Sequence, residues 1–301
     1  THLRRRLDQP GAVAEFPIFR DLAALGATDY LAVKARFAGA GAGSGVMSTW
    51  ATDRAGGFTT ADRDLLEATL PGLHHAAATV MLHESADAVL GTYLGRDAAH
   101  RVLGGAVGRG VAHSLDAILW TSDLARFTRL ADTEPQHRVI ELLNAYAERT
   151  CDAVEEAGGE VLKFTGDGTL AVFDRHRLTD APGRALRAAE TALAATRSLT
   201  AGRAAAGLPV SALRVALHRG EVFYGNIGSR TRLDFTVVGP AVNEAARLCD
   251  ICKSVDRDLV VSSAFHDSAE RQRHRFVGLG RYALRGVARP QPLYTLDPEA
   301  S

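Results

Sequence analysis

Leu31, Val33, Ala35 and Phe37 alternate with other positions, the two-residue period of a half-buried strand, and residues 46–52 predict a second strand beyond a glycine-rich connection at 39–45. Arg54-Ala-Gly-Gly57 reads as a turn. Thr60 then reads as a helix N-cap, with Asp62 and Asp64 in the first turn where the helix dipole favours acidic groups. That helix runs towards residue 90, with Pro71-Gly72 expected to break or kink it. Residues 91–114, rich in Gly, Arg and His, read as a linker.

The pattern changes at Leu115. Residues 115–120 form a short apolar strand, stopped at Thr121-Ser-Asp123. In Thr133-Glu-Pro-Gln136 the threonine is expected to cap a helix whose capping box Gln136 closes, with Val139, Leu142, Leu143, Tyr146 and Val154 on its inner face and Gly158-Gly159 at its end. Strands at 160–165 and 169–173 flank Gly166-Asp-Gly168, a hairpin turn. A helix over 182–206 follows. Then come a strand at Leu213, Val215 and Leu217, a turn at Arg219-Gly220, and strands at 222–227 and 233–238. A helix runs from Gly239-Pro240 through Cys252, with a strand at 259–262 and more strands in the last 30 residues. One βααβ unit followed by hairpins and a helix predicts an α+β fold of ferredoxin-like, palm type, with helices beside a largely antiparallel sheet.

Length and charge narrow the function. At 301 residues, two domains are expected. The 35 Lys+Arg and 35 Asp+Glu cancel, which argues against binding to nucleic acid or anionic membrane through bulk charge. The most apolar run, 70–82, is too short to span a bilayer and holds His74 and His75. Three cysteines make a disulfide framework unexpected and favour a reducing cytoplasm. The chain begins at Thr1, which suggests that it starts inside a longer protein or after processing.

Taken singly, most polar signals have plain structural readings. The loop at 39–45 lacks the Gly-Lys-Ser/Thr ending of a phosphate loop, so a hairpin loop is preferred. Cys249 and Cys252 lie on an apolar helix face with no second pair to complete a zinc site, so they read as buried thiols. His74, His75 and His83 lack ligand partners at useful spacing. Asp123 suits a helix cap, Asp167 a tight turn, Lys163 an edge strand, and Asn243, Arg247 and Asp250 a solvated helix face. Together they are more informative. Asp123 ends the first strand and Asp167 tips the hairpin beside it, so two carboxylates meet at one sheet end. Like-charge repulsion there calls for a hard divalent cation.

Four ordered blocks carry a resemblance: Ser122-Asp-Leu-Ala-Arg-Phe-Thr128, Gly158-Gly-Glu-Val-Leu-Lys-Phe-Thr-Gly-Asp-Gly168, His218-Arg-Gly-Glu-Val-Phe-Tyr-Gly-Asn-Ile-Gly228 and Asp234-Phe-Thr-Val-Val-Gly-Pro-Ala-Val-Asn-Glu-Ala-Ala-Arg247. With them, residues 115–296 resemble the catalytic domain of class III adenylate cyclases, in the bacterial subgroup with threonine at the purine position. Residues 1–90 resemble the closing part of a GAF-like regulatory domain, and 91–114 its linker to a catalytic domain at 115–301.

The resemblance implies that Asp123, Asp167 and the Leu124 carbonyl hold two divalent cations, Mg²⁺ or Mn²⁺. Lys163 and Thr236 match the adenine-reading pair, Asn243 the ribose-orienting asparagine and Arg247 the transition-state arginine. Phe127 and Thr128 fall where the backbone meets the β and γ phosphates. Arg285 matches a triphosphate-binding lysine, and Arg230 is a further phosphate candidate. Arg126 stands where the family usually has glycine. The implied reaction converts ATP to cyclic AMP and pyrophosphate in two shared sites of a homodimer, under an unidentified regulatory ligand of the N-terminal region. Alternatives are a guanylate cyclase and a non-catalytic nucleotide-binding module. Zero net charge disfavours a palm-type polymerase.

Overall fold

The computed structural model describes residues 2–36, 45–106, 108, 110, 112–229, 231–284, 287 and 289–297. The chain divides into two units, Thr1–Val89 and Leu90–Ser301.

In the first unit, β1 (His2–Arg6), β2 (Asp29–Arg36) and β3 (Gly45–Thr52) form an antiparallel sheet in that order. The expected strand through Leu31 and Val33 is present but buried on both faces. Tyr30 and Ala32 pack with Phe19 of α1 (Pro17–Ala24), and Leu31 and Val33 with Leu70 of α2 (Thr60–Leu94). Phe37 and most of the glycine-rich connection lie outside the described residues. The cap of α2 is Thr59 rather than Thr60: its hydroxyl accepts from the Asp62 amide at 3.2 Å, and Asp62 Oδ2 accepts from the Thr59 amide at 2.8 Å. Pro71-Gly72 does not break α2. Both residues are exposed, so water can satisfy the carbonyl that the proline leaves unpaired, while buried Leu70 and His74 anchor the inner face.

The second unit centres on an eight-stranded sheet in the order β10-β11-β9-β7-β4-β6-β5, with β8 paired to β7. The strands are β4 (Ala112–Leu124), β5 (Glu160–Thr165), β6 (Gly168–Asp174), β7 (Leu213–Gly228), β8 (Leu233–Val238), β9 (Leu259–Ser262), β10 (Phe276–Tyr282) and β11 (Gln291–Leu296). All pairings are antiparallel except β7 with β9, and the α+β palm-like plan is the observed one. Alternation on β4 builds two cores. Ile118 and Trp120 face α5 (Gln136–Glu156) and α6 (Ala181–Ala205). Leu115, Ala117 and Leu119 face α7 (Pro240–Val255) and α3 (Arg96–Leu103). At about 25 cal/mol per Å² of apolar surface, burying such a side chain contributes roughly 2 kcal/mol before entropy.

Within the stretch read as a linker stands α3, whose Ala98 is buried in the second core. Two expectations are corrected. No turn interrupts β7 at Arg219-Gly220. A Cβ on Gly220 would lie 2.4 Å from the Ala241 Cβ, so this glycine serves the close approach of α7. Thr133 does not cap α5. It ends α4 (Phe127–Thr133), where its hydroxyl donates to the Arg129 carbonyl at 2.9 Å, and Pro135 occupies the cap position. Cys249 and Cys252 are buried free thiols, as read from the sequence.

Candidate active site

Backbone geometry brings the two aspartates together. Thr165 pairs with Gly168, leaving a two-residue turn of Gly166, at φ 73°, and Asp167. A Cβ on Gly168 would sit 2.1 Å from the Ser122 carbonyl oxygen, so only glycine lets the hairpin lie against β4. Ser122 Oγ secures the contact by accepting from the Thr169 amide at 3.1 Å. The Leu124 amide donates to Asp167 Oδ2 at 3.2 Å, and the Asp123 carboxyl group lies close enough to Asp167 to affect its titration.

The pair titrates asymmetrically. Burial, then the nearby carboxyl group and charge of Asp123, push Asp167 up to about 6. Asp123 is held below the usual carboxylate range: burial raises it, but the nearby Asp167 carboxyl group and the Lys253 ammonium outweigh that. Lys253 Nζ lies 2.8 Å from Asp123 Oδ2. The sequence reading missed this lysine. It stands six residues beyond Arg247 in the last turn of α7 and reaches Asp123 only through the packing of α7 on β7. Two carboxylates with a carbonyl at hand make an all-oxygen donor set, and a cationic head already sits against Asp123, so the residues fit a hard divalent cation. Among the described residues no cluster of three or more His, Cys, Asp or Glu offers another metal cage.

Phe127 and Thr128 open α4 directly after this corner. Arg126 precedes them at φ 60° and ψ 24°, the left-handed conformation that glycine adopts without cost. This accounts physically for a glycine at that place. Arg230 and Arg285 lie outside the described residues.

The candidate base readers lie on two strands in contact, β5 and β8. Leu162 of β5 shares a core with Phe235 and Val237 of β8, and the intervening positions point the other way. Lys163 Nζ lies 3.9 Å from Asp234 Oδ2, two residues from Thr236 on the same strand. Thr236 is buried and its hydroxyl has no hydrogen-bond partner. Such an orphan costs about 1–3 kcal/mol, which a ligand able to hydrogen-bond would recover.

Asn243 and Arg247, four residues apart on α7, line a groove of about 430 Å³ with Pro240 and Glu244. Neither makes a hydrogen bond or ion pair among the described residues. Asp167 lines a separate cavity of about 290 Å³ with Leu124, Asn144 and Phe164. The two cavities share no residue.

Residues 114–297 match the family of adenylate and guanylate cyclase catalytic domains, and the chain belongs to it. An uncharacterized protein of Mycobacterium tuberculosis is 35% identical over 172 residues, 57% of this chain and 30% of its own length. An uncharacterized protein of Mycobacterium bovis is 36% identical over 169 residues, 56% and 30%. The chain thus spans about 30% of the length of these curated relatives.

Among solved structures, a bacterial light-regulated adenylyl cyclase superposes with a TM-score of 0.64 at 24% identity, over 75% of this chain and 64% of that one. The adenylyl cyclase CyaB from P. aeruginosa gives 0.55 at 22%, over 62% and 95%. The guanylyl cyclase Cya2 gives 0.54 at 26%, over 62% and 93%. The first two speak for the fold, and the neighbours include cyclases of both purines. Among the described residues no helix is long and apolar enough to cross a membrane.

Proposed function

We propose that this cyclase domain converts ATP to 3′,5′-cyclic AMP and pyrophosphate in two sites shared across a homodimer. The observation that carries the choice of purine is the buried, unpartnered hydroxyl of Thr236, two residues along β8 from the Asp234 that Lys163 approaches. Adenine offers an acceptor at N1 and a donor at its exocyclic amine. A lysine donates to the first and a hydroxyl accepts from the second. Guanine presents an N1–H donor, which opposes the ammonium.

Asp123, Asp167 and the Leu124 carbonyl hold two divalent cations, Mg²⁺ or Mn²⁺. When bound, these activate the ribose 3′-hydroxyl and neutralise the leaving pyrophosphate. Asn243 orients the ribose. Arg247 offsets the charge that grows on the α-phosphoryl oxygens during in-line attack. The backbone at Phe127 and Thr128 receives the β and γ phosphates. Each site takes its carboxylates from one protomer and its arginine from the partner, a reading supported by the separate places of Asp167 and Arg247 in the single chain.

We read residues 1–90 as part of a GAF-like regulatory domain for a ligand not yet identified, 91–114 as the connection and 115–301 as the catalytic domain, acting in the cytoplasm. A guanylate cyclase is the second reading, favoured by Asp234, whose carboxylate near Lys163 is able to accept from guanine. Turnover of ATP and GTP by the full chain, with Mg²⁺ and with Mn²⁺, separates the two. Cyclic AMP from ATP at least about tenfold faster than cyclic GMP from GTP is the expected result. The reverse preference overturns the adenylate reading, and no product from either nucleotide favours a non-catalytic module.

A further inference from the structure

Lys253 sits in the corner where the two aspartates meet. Its base is rigid. Cys252 is fully buried with Sγ 3.5 Å from the Val215 carbonyl, and Leu248 anchors the preceding turn. Its side chain is 47% exposed and reaches Asp123 from the solvent side of the helix end. It also has a second perch: Asp250, one turn back on α7 and 76% exposed, places Oδ1 3.8 Å from Nζ. An ammonium on a four-carbon stem therefore stands between a half-buried carboxylate and a solvated one.

We propose that Lys253 is a tethered cation that competes with the divalent cation for Asp123. The inference rests on the reading of Asp123 and Asp167 as metal ligands. Two carboxylates in contact repel unless a positive charge lies nearby, and Lys253 supplies one from within the chain. An ammonium bonded to Asp123 and an entering divalent cation compete for the same oxygen lone pairs. Entry of the cation sends Lys253 to Asp250, so the lysine sets the cation concentration at which the site fills.

The test is Mn²⁺ binding to the full chain after EDTA treatment and without nucleotide, read from the electron paramagnetic resonance of free Mn²⁺. Lys253→Met and Lys253→Gln are each expected to tighten binding about two- to fivefold, the scale of a half-exposed ion pair. Asp250→Asn removes the outer perch and is expected to weaken binding about twofold. In the Lys253→Met background it is expected to have no effect, since Asp250 acts through the lysine. In EDTA, Lys253→Met is expected to melt below wild type and to gain more from added Mn²⁺.

Unchanged or weaker Mn²⁺ binding by both Lys253 variants overturns the proposal while leaving the metal site intact. Uptake by wild type no greater than by Asp123→Ala overturns the metal reading, and this inference with it.

Discussion

At the carboxylate end of the catalytic unit each charge has a partner inside the chain: Asp167 has the Leu124 amide and Asp123, and Asp123 has Lys253. At the other end the Thr236 hydroxyl is buried and unpartnered, and Asn243 and Arg247 make no hydrogen bond or ion pair among the described residues. The difference shows where each end gets its stability. The first is held together before substrate arrives. The second carries polar groups without partners among the described residues, and packing beneath them holds it in place. Substitutions at the first end therefore disturb fold and function together, whereas substitutions at the second separate the two.

The largest separation is expected at Arg247. Arg247→Ala should lower the turnover number by about 10²–10³, the range for removing one transition-state donor, with the melting temperature unchanged because no partner in the chain is lost. Mixing it with Asp123→Ala sharpens the comparison. In exchanging homodimers half the molecules are heterodimers, each with one intact site of two, so about a quarter of wild-type activity should return. No recovery in dimers proven to exchange would show that the two ends belong to one chain's site.

Gly168→Ala tests the opposite behaviour. The added methyl meets the Ser122 carbonyl, and the hairpin must leave β4. Stability should fall by about 3 kcal/mol, and Mn²⁺ binding should be lost with it. Denaturant unfolding and metal titration on the same sample check both.

The same contrast explains what the sequence made legible. Strands 160–165, 233–238 and 259–262 are found with the bounds expected, because each is a short run rich in β-branched and aromatic residues. Asp123 and Asp167 could be paired from chain order alone, since a two-residue turn beside the first strand leaves them nowhere else to go. The contribution of α7 was harder to read. Gly220 suggested a turn because a glycine made necessary by a neighbouring helix looks the same in sequence as one made necessary by φ. Helix α3 was hidden by its composition, since only Ala98 and Ala99 are buried. Lys253 was invisible because its partner is 130 positions earlier and no spacing rule links a helix end to a strand end.

A third charged group serves as a control. Tyr224 donates to Glu160 at 2.8 Å and to Asp97 at 3.2 Å, and Asp97 also pairs with Arg101 and Arg177. It is charged like the carboxylate end but lies under α3, away from both cavities. Burial, together with the Asp97 charge, pushes Glu160 up to about 7, against the Tyr224 hydrogen bond and the two arginines. The sign follows from linkage. From the unfolded carboxyl value near 4.5 up to about 7, the unfolded chain releases this proton and the folded one keeps it, so stability falls as pH rises through that window and levels off above it. Glu160→Gln should flatten the window, with a wild-type loss of about 2 kcal/mol between pH 5 and 8 that the variant lacks. Turnover measured at pH 7 should change less than twofold.

Thr236→Val returns to the unpartnered end at a smaller scale. Valine keeps the shape and removes a hydroxyl that bonds nothing in the resting chain, so the protein should gain about 1 kcal/mol. The preference for ATP over GTP should fall about tenfold, because the acceptor for the adenine amine is gone. A loss of stability would mean that the hydroxyl is satisfied within the fold, and the argument for the base would lose its support.

The smallest effect is expected at Arg126, which belongs to neither end. Its left-handed backbone costs a non-glycine residue about 1 kcal/mol, and roughly half of that is offset in Arg126→Gly by the freedom glycine adds to the unfolded chain. The net gain of about 0.5 kcal/mol corresponds to a melting rise of about 1–2 °C. The guanidinium is exposed and forms no ion pair among the described residues, so its attraction for a triphosphate is screened, and KM for ATP should rise only about twofold. A fall in KM would mean that the side chain crowds the phosphates, and the glycine usual at this place would then be explained by space as well as by φ.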